Sequence, residues 1–99
     1  MPDTETTIAE LKDRCARTIA FVRSVDAAAL DAAAGREVVL KFPNGMGYRW
    51  QGADYLTGFA LPNFFFHVTT AYALLRAQGV TLGKPDFLAH LGMPETLDA

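Results

Sequence analysis

The sequence predicts a mainly α-helical fold with one small β-hairpin, an α+β architecture that has two long helices in each chain. Three observations predict it: two long segments with helical apolar periodicity, a turn motif between two short strand-like segments, and a hydrophobic fraction of 51%. A chain of 99 residues is expected to form a single domain over residues 1–99.

The first long helix is predicted over residues about 7–25. Thr7 stands three residues before Glu10, the spacing of a capping box in which each side chain accepts a hydrogen bond from the other residue's backbone N–H. Apolar residues then recur at steps of three and four along one helical face: Ile8, Leu11, Cys15, Ile19, Val22 and Val25. Because Cys15 falls on this face, it is expected to be a small core residue.

A hairpin is predicted over residues about 37–51. Phe42-Pro43-Asn44-Gly45 suits a type I turn, with Gly45 in the left-handed conformation that forms a bulge. Such a loop pairs Phe42 with Met46, and the register continues outward with the pairs Leu40–Tyr48 and Val38–Trp50. The resulting apolar face is expected to pack on a helix as part of the core.

The second long helix is predicted over residues about 54–78, with Asp54 as its N-cap and Gly79 just beyond its end. Pro62 removes a hydrogen bond and crowds the carbonyl of Gly58, so the sequence predicts a kinked helix or two helices that meet at Leu61. Residues 79–99 are predicted to form a C-terminal strap with a short turn near Pro85.

The part of this helix after Pro62 is apolar on nearly every side, through Phe64, Phe65, Phe66, Val68, Tyr72, Leu74 and Leu75. One partner helix and a small hairpin cannot cover such a helix. The pattern therefore predicts a homodimer in which two copies complete a four-helix bundle.

Charge and composition exclude some classes of partner. With a net charge of −2 and scattered basic residues, the chain is not expected to bind nucleic acid. The segment from Tyr55 to Leu75 carries no full charge and is near the length of a membrane span, but its Asn, His and Thr residues favour a buried helix, so no membrane insertion is expected. A single cysteine and a first segment unlike a signal peptide predict a cytoplasmic location.

The candidate functional residues are Asn63, His67 and Thr70, whose spacings of four and three place them on one helical face. They are predicted to line a pocket for a small ligand, or to present an imidazole as base or metal ligand beside its symmetry mate in a dimer. The alternative is structural: the three side chains bond to one another, to the carbonyl freed by Pro62, or to a buried water.

No metal site is predicted, because one histidine, one amide and one hydroxyl form a poor set of zinc ligands. His67 is therefore only a weak candidate for a metal ligand. No residue pattern identifies a cofactor.

The segment from Tyr55 to Arg76 resembles the signature helix of an uncharacterised bacterial family, above all in Leu61-Pro62-Asn63 and His67-Val68-Thr69-Thr70. That family is a domain of unknown function within the DinB-like four-helix-bundle superfamily. The likeness covers the whole chain: residues 3–25 resemble the family's third helix, residues 37–51 its hairpin insertion, and residues 84–88 its closing segment.

The resemblance implies that this chain corresponds to the C-terminal half of the family fold, since members usually have two further helices before this point. Either a second copy supplies the equivalent helices, or the chain is a fragment of a longer product. DinB-like relatives include proteins with a three-histidine metal site and thiol-dependent transferases, but only His67 lies at a comparable helix position, whereas His90 belongs to the tail.

Three hypotheses follow. The first is a small-ligand-binding or structural homodimer without catalysis, the second a metal-dependent DinB-like enzyme that uses His67 of both protomers, and the third a structural partner of a complementary half protein.

Overall fold

The computed structural model describes residues 1–97 and divides into two compact units, Met1–Asp54 and a second that begins at Tyr55. The first unit holds α1 (Ile8–Ser24), α2 (Ala27–Ala32), β1 (Glu37–Lys41) and β2 (Gly47–Gln51), and α3 (Gly52–Tyr55) lies at its end. The second unit holds a π-turn (Leu56–Ala60), α4 (Leu61–Ala77), α5 (Lys84–Phe87) and a 3₁₀ turn (Ala89–Leu91).

The capping box predicted at the start of α1 is present. The backbone N–H of Glu10 donates to Thr7 Oγ1 at 3.2 Å, and Glu10 Oε2 accepts from the backbone N–H of Thr7 at 3.0 Å and of Thr6 at 2.7 Å. These backbone donors, Thr6 first, hold the pKa of the Glu10 carboxyl below its ordinary value because they favour its charged form. The helix therefore begins where the Thr7–Glu10 spacing predicts.

An ion pair ties the N-terminal segment to α1. Arg14 Nε donates to Glu5 Oε1 at 2.5 Å, and Arg14 Nη2 lies 3.3 Å from Asp3 Oδ1. The hydrogen bond from Arg14 lowers the pKa of the Glu5 carboxyl, and Glu5 in turn raises the pKa of Arg14.

The hairpin has the predicted register. Phe42 N–H donates to Met46 O at 2.8 Å, Gly45 N–H donates to Phe42 O at 3.0 Å, and Gly45 has a φ of +84°. The pairs Val38–Trp50 and Leu40–Tyr48 follow outward.

Aromatic rings line one side of this hairpin. Tyr48 stacks on Trp50 with ring centroids 5.3 Å apart, and Phe42 meets Tyr48 edge-on at 5.9 Å. Met46 and Tyr48 nevertheless remain 67% and 56% exposed, so this part of the predicted core face is not covered within the first unit.

Helical structure begins at Gly52, two residues before the predicted N-cap, so the assignment of Asp54 as an N-cap was wrong. A non-local contact sets the earlier start: Ala53 N–H donates to Ala34 O at 2.9 Å. Gly52 allows this approach, since a Cβ at that position would lie only 2.3 Å from the carbonyl oxygen of Ala33. Local capping propensity carries no information about this contact.

The interruption predicted at Pro62 takes the form of the π-turn. Leu61 N–H donates to the carbonyl of Leu56, five residues back, and the α-helical geometry of α4 begins at Leu61. Pro62 then occupies the first turn of α4, where the missing N–H costs least.

The C-terminus of α4 has the predicted glycine cap. Gly79 has a φ of +91°, its N–H donates to Arg76 O at 3.0 Å, and Val80 N–H donates to Leu75 O at 3.1 Å, which together form a Schellman motif. The tail then returns to α4, where Phe87 of α5 meets Tyr72 edge-on at 5.9 Å.

None of residues 1–97 is buried, and large apolar side chains of both α1 and α4 are exposed. Cys15 is among the exposed residues, so its expected place in a core is not found among residues 1–97. Within the described range, no helix combines the length and apolarity needed to cross a bilayer.

Candidate functional site

Asn63, His67 and Thr70 all lie on α4, the helix that begins after the π-turn. An α-helix advances about 100° per residue, so the steps of four and three keep the three residues within roughly 60° of one another. All three residues are exposed. We call them the polar face of α4.

Within residues 1–97, the side chains of the polar face form no hydrogen bonds with one another, which was one of the three arrangements in the structural alternative. The ring of His67 meets the ring of Phe66 edge-on, with centroids 5.3 Å apart. An amide, an imidazole and a hydroxyl are therefore presented together, and each has both donor and acceptor capacity.

The polar face points away from the C-terminal tail. Phe87 of the tail contacts Tyr72, and both Tyr72 and Val68 of α4 are partly covered. Tyr72 lies roughly 140–180° around the helix from the members of the polar face. The polar face is thus on the open side of α4, with Leu74 beside it at 63% exposure.

The donor set of the chain does not match the three-histidine metal site that the superfamily resemblance implies. Residues 1–97 contain no group of three or more His, Cys, Asp or Glu side chains placed to hold a metal ion. His67 is on α4, whereas His90 is in the 3₁₀ turn of the tail. The described residues of one chain therefore do not fit a metal ion held by three histidines.

A second feature of α4, a groove beside the tail, is not anticipated by the sequence pattern. Its lining residues come from α4, from α5 and from the residue after α5: Thr69, Tyr72, Lys84, Phe87 and Leu88. In the sequence, the signal for this groove is a lysine close to two apolar residues of the tail, Lys84, Phe87 and Leu88. The tail contacts α4 through residues that are distant in sequence, and local periodicity does not predict such a contact.

Known proteins share the helix that carries the polar face. The family model described as Domain of unknown function (DUF1993) matches residues 1–88. A comparison with curated proteins finds no match.

Among solved structures, the crystal structure of a DinB family member protein from Shewanella denitrificans is similar, with 35% sequence identity and a TM-score of 0.78. The match covers 99% of this chain and 53% of that one. The chain thus spans about half the length of this solved relative.

Proposed function

This chain belongs to the family described as Domain of unknown function (DUF1993), and from this premise we propose that it is a homodimeric DinB-like bundle that binds a small ligand between its helices. The family match and the DinB family neighbour confirm the resemblance inferred from the sequence. The proposal concerns binding and assigns no catalysis.

One observation carries the proposal of a dimer: none of residues 1–97 is buried, although 51% of the chain is hydrophobic. A globular chain of this size normally buries well over half of its unfolded surface. Exposed apolar faces on two long helices are what a bundle uses for its interior. Two copies of α1 and α4 provide four such helices, and the chain spans 53% of the solved relative.

The polar face supports the proposal of a ligand. If a second copy covers the open side of α4, Asn63, His67 and Thr70 become enclosed, and enclosed polar groups need hydrogen-bond partners. A small polar molecule that both donates and accepts hydrogen bonds meets this requirement, and the neighbouring Leu74 and Phe66 provide apolar contact. The expected ligand is therefore small, polar and held by hydrogen bonds.

The first experiment measures the mass of the chain in solution by sedimentation equilibrium over a wide concentration range. We expect a species of twice the 10.8 kDa of one chain. A well-folded monomer at every concentration would contradict the dimer.

The second experiment measures thermal shifts against a broad panel of metabolites and metal ions. The comparison protein carries Asn63→Leu, His67→Leu and Thr70→Val, which keep the side-chain volumes similar and remove hydrogen bonding. We expect at least one compound to raise the Tm of the native chain and not that of the variant. A panel without any such compound counts against the ligand, and zinc and nickel in the panel test the metal-dependent alternative through His67.

A further inference from the structure

The groove between α4 and the tail combines a mostly apolar lining with one charged side chain, that of Lys84. It has a volume of about 370 Å³, is open to solvent, and is lined by Thr69, Tyr72, Lys84, Phe87 and Leu88. This volume lies within the range of roughly 300–1,000 Å³ that is usual for ligand pockets. Tyr72 and Phe87, whose rings meet edge-on, are partly covered and provide aromatic contact area.

One cation lines this groove and a second contacts the hydroxyl of Tyr72, which also lines it. Lys84 lines it directly, and Arg76 Nη1 lies 3.5 Å from the hydroxyl oxygen of Tyr72, to which it donates. Among residues 1–97, neither Lys84 nor Arg76 forms an ion pair. The carboxylate of the same turn, Asp86, accepts a hydrogen bond from Gly83 N–H at 2.8 Å.

The polar groups at the groove are suited to donate hydrogen bonds. Because the Tyr72 oxygen accepts from Arg76, the Tyr72 hydroxyl proton can be donated to a ligand. The hydroxyl of Thr69 and the ammonium of Lys84 are further donors. Positively charged hydrogen-bond donors beside apolar side chains are complementary to a ligand that has an anionic group attached to an alkyl or aryl group.

We propose that this groove binds a small apolar carboxylate, with the carboxylate toward Lys84 and Tyr72 and the hydrocarbon against Phe87 and Leu88. A single carboxylate suits the groove better than a phosphate, because Lys84 is the one charged residue among those that line it. The groove lies on the side of α4 opposite to the polar face, so this proposal does not rest on the polar face or on a ligand bound there.

The test titrates the full-length ¹⁵N-labelled chain with phenylacetate and with phenylacetamide, its neutral counterpart of the same shape. We expect phenylacetate to shift the backbone amide signals of residues 69, 72, 87 and 88, and phenylacetamide to bind about tenfold more weakly. Added salt should weaken the binding of the acid and leave the amide unchanged.

Two variants locate the charge and the hydroxyl. Lys84→Met keeps a similar length and is expected to weaken phenylacetate about tenfold, while the control Lys41→Met, in β1 of the first unit, leaves it unchanged. Tyr72→Phe keeps the ring and removes the hydroxyl, so it should weaken the acid more than the amide, because the hydrogen bond to a charged carboxylate is the stronger one.

Each opposite outcome overturns the proposal. The proposal is wrong if phenylacetate does not bind at millimolar concentration, or if the acid and the amide bind with equal affinity. It is also wrong if the signal shifts are confined to other residues, or if Lys84→Met binds phenylacetate with unchanged affinity.

Discussion

Replacement of Leu74 by alanine tests the dimer most directly, because this side chain lies beside the polar face and is 63% exposed in one chain. Full burial of a leucine side chain contributes about 1.5–3 kcal/mol, so covering the part that is still exposed contributes about 1–2 kcal/mol. A two-fold interface uses the residue twice. Leu74→Ala should therefore weaken the dimer by about 2–4 kcal/mol, which raises its dissociation constant about 30- to 1,000-fold.

Sedimentation velocity over a dilution series measures this constant. The matched control is Leu30→Ala on α2, since Leu30 is similarly exposed at 60% but lies on neither long helix. Alanine favours helix at both positions, and far-UV circular dichroism should confirm that both variants keep their helical content. An interface at Leu74 is refuted if Leu74→Ala dimerises like the native chain, or if Leu30→Ala weakens the dimer as strongly.

Three further predictions concern the stability of the chain. Gly79→Ala places a side chain at a φ of +91° and should lower the unfolding free energy by about 1 kcal/mol in urea titrations. The control Gly35→Ala adds a side chain in open space and without a positive φ, so it should be neutral or slightly stabilising. Thr7→Ala removes the N-cap of α1 and should cost about 1 kcal/mol in the same assay, while Thr7→Ser should retain most of the native stability. The pKa values of Glu5 and Glu10 are lowered in the folded chain, so the two carboxylates stabilise it above about pH 4.5. This stabilisation is lost as the pH falls through the lowered pKa values, and the ellipticity at 222 nm should become weaker in that pH range. Glu10→Gln should make this change in ellipticity smaller.

The elements that the sequence predicted correctly depend on local chemistry. The Thr7–Glu10 box sets the start of α1, and the type I turn with Gly45 sets the whole hairpin register, because each is determined by residues within a few positions. The start of the next helix was predicted two residues late because the hydrogen bond from Ala53 to Ala34 joins residues nineteen positions apart. Capping propensity at Asp54 could not reveal that bond.

The candidate site divides in the same way. The shared face of Asn63, His67 and Thr70 follows from helical periodicity alone, and it stays a prediction as a ligand site. The groove at Tyr72 and Lys84 required the fold of the tail, since residues from two separate segments form it.

The two sides of α4 differ in what can cover them. On one side Tyr72 is already covered by the tail, whereas the polar face lies on the open side among exposed apolar residues such as Leu74. A purely apolar partner surface would gain by covering Leu74, but it would leave three polar side chains without hydrogen bonds, at a cost of about 1–3 kcal/mol each. That cost, about 3–9 kcal/mol for the three side chains, would exceed the about 1–2 kcal/mol gained by covering Leu74. A partner that covers α4 would therefore have to bring polar groups to Asn63, His67 and Thr70. This requirement would place the proposed dimer contact and the proposed ligand at the same three side chains.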